Sequence, residues 1–400
     1  MVTPISGREL LRRDWLARHG EPDVQFEFVD GVADLTWGHP DPTLLPAQAV
    51  AEATDNVLRV DGWKALSYGH AAGPSVLREE LISHLASIGE RRPHPDELLV
   101  TSGNSGTIDL LATLLTKPGD VVFVEEPTYF LALRIFGDHP VEIVGVRSDS
   151  DGLVPHDLDA KAQLLRQSGR RASLLYLVPT HNNPSGTNMP LHRRLELLTV
   201  AHRHGLVVME DDVYREVSFD GQAPESLWSL DPEGVVIRMG SFSKTLSPGI
   251  RVGYITAAPA LIGVVQGSGV LDSGGGLSYF AACIVGELLR SGSYGRSRDA
   301  MVKSFAARCT ALGDTLVGSP LIINRPTGGF FLWAALPDGM TGVELCDATL
   351  KAGVRCTNGT RFFASQPPGE FVRLAFSMLN EAELAAAGRL IADTAAALLR

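Results

Sequence analysis

Between residues 95 and 260, short apolar runs rich in β-branched residues recur along the chain. They are Leu98–Thr101 (LLVT), Val121–Val124 (VVFV), Val141–Val146 (VEIVGV), Ser173–Val178 (SLLYLV), Leu206–Glu210 (LVVME), Val235–Met239 (VVIRM) and Val252–Ala257 (VGYITA). The runs are continuous rather than alternating, which is the pattern of strands buried on both faces of a parallel sheet. Polar loops follow them, and helical patterns often follow the loops. This rhythm predicts a doubly wound α/β layer with a mostly parallel, seven-stranded sheet between helices. Ahead of it, Pro74–Leu85 (PSVLREELISHL) spaces Leu77, Leu81 and Leu85 one turn apart, with Pro74 at the start of the helix. From about residue 286 the pattern changes. Long helical stretches at Ser297–Leu316 and Asn380–Arg400 enclose short strand patterns at Gly328–Leu336 and Glu370–Ser377. The expected division is an N-terminal arm over 1–45, a large domain over 46–285 and a smaller α+β domain over 286–400, with the arm packed on the small domain.

In an open parallel sheet, ligands bind outside the carboxyl ends of the strands. The unusual residues of this chain fall at those ends. LLVT runs into SGNSG (Ser102–Gly106), VVFV into EEPTYF (Glu125–Phe130) and SLLYLV into PTHNNPSG (Pro179–Gly186). LVVME runs into DDVY (Asp211–Tyr214), and VVIRM into GSFSK (Gly240–Lys244). A glycine-rich turn that opens a helix aims backbone N–H groups and a positive dipole end at an anion. Neither GxxxxGK nor GxGxxG occurs there, which argues against a Walker loop and a dinucleotide fingerprint. Taken singly, each residue has an ordinary structural role. Asp211 can cap a turn, Tyr129 can pack in a core, Arg251 and Arg373 can form surface ion pairs, and Lys244 can be solvated. Their joint placement on one rim points to chemistry.

Composition narrows the class. The chain has 400 residues, 44% hydrophobic and 20% charged, as in an ordinary globular enzyme. A net charge of -11 argues against a nucleic-acid partner but leaves room for a local cationic pocket. Cys283, Cys309, Cys346 and Cys356 show no metal-ligand spacing, so no metal is expected, and they read as reduced thiols. The first residues lack the apolar segment of a secretory signal, and no apolar run reaches the ~18 residues of a membrane span. The expectation is a cytoplasmic protein with no membrane partner.

The segment SFSKTLSPGIRVGY (Ser241–Tyr254) resembles the lysine segment of the pyridoxal phosphate (PLP)-dependent class I/II aminotransferases of fold type I. The resemblance extends through WGHPDPTLLP at Trp37, ALSYGHAAGPSVLREEL at Ala65, VEEPTYFLALRIFGD at Val124, VPTHNNPSG at Val178, EDDVYREV at Glu210, GSGVLDSGGG at Gly267 and FVRLAFS at Phe371, in family order. The flavour is that of the branch containing 2-aminoadipate and kynurenine-type aminotransferases. The resemblance implies that Lys244 forms the internal aldimine with PLP. It implies that Ser241, Ser243, Arg251 and the backbone N–H groups of Gly103, Asn104 and Ser105 hold the phosphate. Tyr68 would reach the phosphate in a neighbouring subunit of a homodimer, completing a shared site. Tyr129 would stack on the ring, Asn183 and Tyr214 would bond its phenolic oxygen, and Asp211 would pair with its nitrogen. Arg373 would bind the substrate α-carboxylate, and Trp37 and Gly38 would line the mouth. Family spacing selects Asp211 over Asp212.

Two departures stand out: SGNSG where many relatives have SGSQQ, and His181 in PTHNNPSG. The histidine reads as a packed, hydrogen-bonded loop residue, with an extra acid/base as the rival. The implied reaction is ping-pong transfer of an amino group between an L-amino acid and a 2-oxo acid. The alternative uses the same Cα carbanion for elimination or replacement at Cβ or Cγ, oxidation, decarboxylation or carbon–carbon bond formation. A PLP-binding transcription regulator is a third reading, disfavoured because the motifs begin near residue 34 and the net charge is acidic.

Overall fold

The computed structural model of the protein describes residues 29–274 and 277–399. Residues 1–28 of the expected arm and Gly275 and Gly276 of the glycine-rich loop lie outside the described residues. All seven apolar runs form strands. After β1 (Ala33–Asp34) come β2 (Leu98–Thr101), β3 (Val121–Glu126), β4 (Glu142–Asp149), β5 (Gly152–Leu153), β6 (Ala172–Leu177), β7 (Val207–Asp211), β8 (Val236–Ser241) and β9 (Gly253–Thr256). The large sheet has eight strands rather than seven, ordered β2-β9-β8-β7-β6-β3-β4-β5. The extra strand, β5, has two residues and pairs antiparallel to β4. It is too short to show any hydrophobic pattern in the sequence.

The pairs β3–β4, β3–β6, β6–β7 and β7–β8 are parallel. β9 runs against both neighbours, β8 and β2. That reversal has a use. A strand running the other way begins at the rim where its neighbours end, so Arg251, just before β9, arrives beside the carboxyl ends of β2 and β8.

The strands are buried on both faces, as their continuous apolar runs require. Val122 and Val124 of β3 face one apolar core, and Val121 and Phe123 face another. β7 carries this alternation to its end. Met209 lies in the first core and Val208 in the second, so the period of two sends Asp211 and Glu210 to opposite faces.

The Glu210 face is an ionic layer that the hydrophobic pattern does not reveal. Arg194, Arg215 and Arg238 are buried there with Glu90, Glu210 and Asp212. Arg194 Nη1 lies 3.3 Å from Glu210 Oε1, and Arg238 Nε donates to Asp212 Oδ2 at 2.7 Å. Arg215 pairs with Glu90. Glu210 also accepts from Leu227 N and Trp228 N at 2.9 and 3.0 Å. Losing one member of such a pair typically costs ~3–5 kcal/mol, because its partner stays buried and charged. The layer therefore fixes the chain just beyond β7.

The C-terminal part has its own antiparallel sheet. β10 (Ile322–Asn324), β11 (Phe331–Ala335), β13 (Thr357–Asn358) and β14 (Phe371–Ala375) lie in the order β10-β11-β14-β13. The preceding β12 (Val354–Arg355) pairs in parallel with β1, joining residues 33–34 to this region. Helix Ser293–Leu316 packs beside helix Glu381–Leu398. Asn380 starts the latter with a reciprocal capping box with Glu383. Among the described residues, no helix is long and apolar enough to cross a membrane.

Candidate active site

The ends of β2, β3, β6, β7 and β8 meet β14 and the Trp37–His39 segment around a cavity of about 160 Å³. Of the residues expected there, Trp37, Gly38, Asn104, Ser105, Tyr129, Asn183, Asp211, Tyr214, Ser241, Ser243, Lys244, Arg251 and Arg373 all line it.

Asp211 closes the bottom. Its Oδ1 accepts from Asn104 Nδ2 at 2.7 Å and its Oδ2 from Tyr176 Oη at 2.8 Å. Burial pushes its pKa up to about 6, and Asp212 adds to the rise, while the two hydrogen bonds and the Lys244 charge oppose it. Asp212 instead points into the ionic layer, where Arg238 holds it. The acidic pair is thus resolved in favour of Asp211 by geometry as well as by spacing.

Lys244 Nζ donates to the Gly38 carbonyl at 2.9 Å. Burial, the nearby Arg373 charge and Arg251 bring its pKa down to about 8, with Asp211 opposing them. Near neutral pH, a usable fraction is therefore the free, nucleophilic amine.

Arg373 is the unusual group. It is only 2% exposed. Its guanidinium lies 4.1 Å from the Phe331 ring centroid and 4.7 Å from that of Phe362. Nη1 donates to Asn183 Oδ1 at 2.9 Å and Nη2 to the Thr36 carbonyl, while Nε is buried without a partner. None of the ion pairs among the described residues joins Arg373 to a carboxylate. Burial lowers its pKa to about 9. A buried, unpaired charge is costly unless something meets it.

Opposite, the helix Asn104–Leu115 opens after Gly103, whose φ is +91°. A Cβ on Gly103 would lie 2.6 Å from Arg251 Nη2, and one on Gly253 would lie 3.0 Å from Gly103 Cα. Glycine at both positions lets the guanidinium lie against the open helix end. Arg251 Nη1 donates to Ser243 Oγ at 3.2 Å, and Ser241 Oγ to Ser243 Oγ at 3.0 Å. An N-terminal helix end, two hydroxyls and an arginine make a cradle for a phosphate dianion.

The Asn104 side chain does not face the cradle, because its Nδ2 serves Asp211 and the Met239 carbonyl at 3.2 Å. Its backbone N–H remains at the helix end. Tyr68 does not line this cavity. It is 86% exposed and borders a separate groove with Leu66, Leu271 and Tyr279. His181 is buried, bonds Ser218 Oγ through Nε2 at 2.7 Å and packs against Gly328 and Gly329. Burial pushes its pKa down to about 4, and it does not line the cavity, so the packed-histidine reading holds.

Sequence reasoning missed Tyr176, although a hydroxyl inside the apolar run SLLYLV was a signal for it. It also missed the Thr36 and Gly38 carbonyls, for which no side-chain signal exists.

Residues 32–390 match the model of the aminotransferase class I and II family. The chain belongs to that family. Its relatives include "Aromatic-amino-acid aminotransferase 1" of Thermococcus litoralis, 29% identical over 91% of this chain and 88% of the relative. The solved kynurenine aminotransferase of Pyrococcus horikoshii superposes with a TM-score of 0.86 at 27% identity, covering 98% and 94% of the two chains. LysN, the α-aminoadipate aminotransferase of Thermus thermophilus, solved with N-(5'-phosphopyridoxyl)-L-leucine, gives 0.80 at 31% identity over 92% and 93%. The protein is a PLP-dependent aminotransferase of fold type I. The site fits the cofactor on its own terms, with an amine of lowered pKa, a buried carboxylate and an open anion cradle on one cavity.

The lowered pKa of Lys244 is directly measurable in the cofactor-free aminotransferase. Labelling by an amine reagent, quantified on the Lys244 peptide, should rise with a midpoint near pH 8, against about 10.4 for an ordinary lysine. Arg373→Gln should raise that midpoint and Asp211→Asn should lower it. An ordinary midpoint, insensitive to both changes, contradicts the electrostatic account.

Proposed function

We propose that each polar group of the cavity has one task in moving an amino group between an L-amino acid and a 2-oxo acid. The observation that carries the reading is that Lys244, Asp211 and the unpaired Arg373 face one cavity. Arg373 takes the α-carboxylate shared by both substrates, and its planar fork fixes their orientation. Ser241, Ser243, Arg251 and the N–H groups of Gly103, Asn104 and Ser105 hold the cofactor phosphate. Tyr129 would cover the ring face, and Asn183 and Tyr214 would bond its phenolic oxygen. Trp37 and Gly38 form the mouth.

When bound, PLP supplies an aldehyde that condenses with amines and a ring that withdraws electrons from the substrate Cα. Asp211, bonded from both sides by Asn104 and Tyr176, holds a proton at the ring nitrogen. Lys244 anchors the cofactor. With the cofactor bound, the Lys244 amine would move the proton at the substrate Cα, a positioned acid–base transfer typically worth ~10²–10⁴-fold.

The groove holding Tyr68 supports a second copy of this chain as its occupant. Val60, Trp63, Leu66 and Tyr68 expose 66, 74, 66 and 86% of their surfaces within nine residues of sequence, an apolar run that a lone subunit would leave in water. The division into a large domain over 46–285, a small domain over 286–400 and an arm over 1–45 is supported by the two separate sheets and by the pairing of β1 with β12. The acidic composition and the unpaired thiols fit a cytoplasmic setting.

The half-reaction tests the chemistry. Holoenzyme mixed with an L-amino acid and no acceptor should release one 2-oxo acid per site and leave pyridoxamine phosphate, whereas Lys244→Ala should stall. Retained PLP with a rearranged or shortened carbon skeleton would overturn transamination. Sedimentation should give a dimer mass that Tyr68→Phe leaves intact while weakening PLP retention. A monomeric, fully active enzyme contradicts the shared site.

A further inference from the structure

The four cysteines are free thiols, but they are not alike. Cys283 and Cys309 are buried, and burial pushes them up to about 11 and 12. Cys346, half-buried in helix Gly342–Lys351, and Cys356, buried in the single-residue link between β12 and β13, place their Sγ atoms 3.2 Å apart. A disulfide needs that separation to close to about 2.05 Å, so the helix carrying Cys346 and the link carrying Cys356 must approach by roughly 1 Å.

The backbone around Cys356 is shared with the cavity. On one side, Arg355 Nη1 lies 3.2 Å from Asp34 Oδ2. β12 pairs with β1, which leads directly into Thr36, Trp37 and Gly38. On the other side, Thr357 is the cross-strand partner of Arg373. The Thr36 carbonyl accepts from both Arg373 Nη2 and Thr357 Oγ1. Residue 356 is therefore linked to Arg373 twice, through β1 to the Thr36 carbonyl that accepts from its guanidinium and through Thr357 to its backbone.

We propose that Cys346 and Cys356 are a reversible modification site, oxidised by a small-molecule disulfide to an intramolecular disulfide that displaces Arg373 and weakens amino-acid binding. The half-buried Cys346 is the sulfur a reagent can reach. The Cys346 thiol donates to the Cys356 sulfur, which raises the pKa of Cys346 and lowers that of Cys356. As Cys346 passes that proton to Cys356 it attacks RS–SR, forms a mixed disulfide and releases one thiolate, which takes up a proton as RSH. The Cys356 sulfur then attacks the Cys346 sulfur and expels the second RSH. Two protein thiols lose two electrons and two protons, and one small disulfide becomes two thiols. In a reducing compartment the reduced pair is the resting state, and the oxidised pair is a transient signal. The effect on substrate rests on Arg373 being the carboxylate seat; the cross-link does not.

Holoenzyme treated with 2-hydroxyethyl disulfide, then alkylated under denaturing conditions and mapped, should lose two alkylatable thiols and yield a peptide cross-linked through Cys346 and Cys356. The KM for the amino donor should rise on the order of tenfold, as for weakening one charge-assisted hydrogen bond. The PLP absorbance should stay, and dithiothreitol should restore both thiols and KM. Cys346→Ser and Cys356→Ser should each abolish the cross-link and the KM response. Four thiols still alkylatable after treatment, or a cross-link through Cys283 or Cys309, overturns the site. A Cys346–Cys356 cross-link that leaves KM unchanged overturns its coupling to Arg373. In that case, discrimination between carboxylate and amide ligands in the reduced enzyme shows separately whether Arg373 is the seat.

Discussion

A guanidinium buried among aromatic rings, with no acid among the described residues to meet it, is the constraint around which this site is organised. Arg373 has two of its donors engaged by neutral oxygens, the Asn183 amide and the Thr36 carbonyl, and a third left bare. Phe331 and Phe362 remove water from around it. A native fold keeps such an arrangement when something outside the fold completes it. In the proposed function a substrate carboxylate would do so, bringing the Cα–H bond to the neighbouring lysine. The same positive charge adds to burial in lowering the pKa of Lys244, so the guanidinium proposed to bind substrate also acts on the amine beside it.

The sheet makes this possible by sending consecutive residues of one strand to opposite faces. Glu210 turns into a buried ionic layer and fixes the backbone. Asp211 turns into the cavity and stays available. The reversed direction of β9 then brings Arg251 to the same rim, and the glycines at 103 and 253 let it close on the helix end. Lysine, aspartate and arginine thus come from three different strand ends and one small sheet, each held by structure that takes no part in the chemistry.

Much of this was legible in the sequence. The continuous apolar runs predicted the seven long strands, because burial on both faces leaves no alternation to misread. The polar residues at the run ends predicted which loops converge. Other features depend on tertiary contact and left no local trace. β5 is two residues long and carries no period. The direction of β9 is set by its neighbours, not by its composition. The ionic layer reads in sequence as scattered charges at Glu90, Arg194, Glu210, Asp212, Arg215 and Arg238, which ordinarily signal solvent. The turn of the Asn104 amide toward Asp211 is a rotamer choice that only the partner strand explains. Tyr68 does not line the cavity of the single chain, and nothing in its local sequence says which cavity it serves.

The central claim is that Arg373 is a carboxylate seat, and ligand discrimination tests it most directly. Competition by a saturated monocarboxylic acid and by its primary amide should be compared in wild type and Arg373→Gln, with PLP absorbance monitored in both. A charged hydrogen-bonded pair contributes about 1.5–3 kcal/mol, so the wild type should prefer the acid by ~10–100-fold. The variant should bind the two alike. Equal binding of acid and amide by the wild type, or an unchanged preference in the variant, would contradict the account.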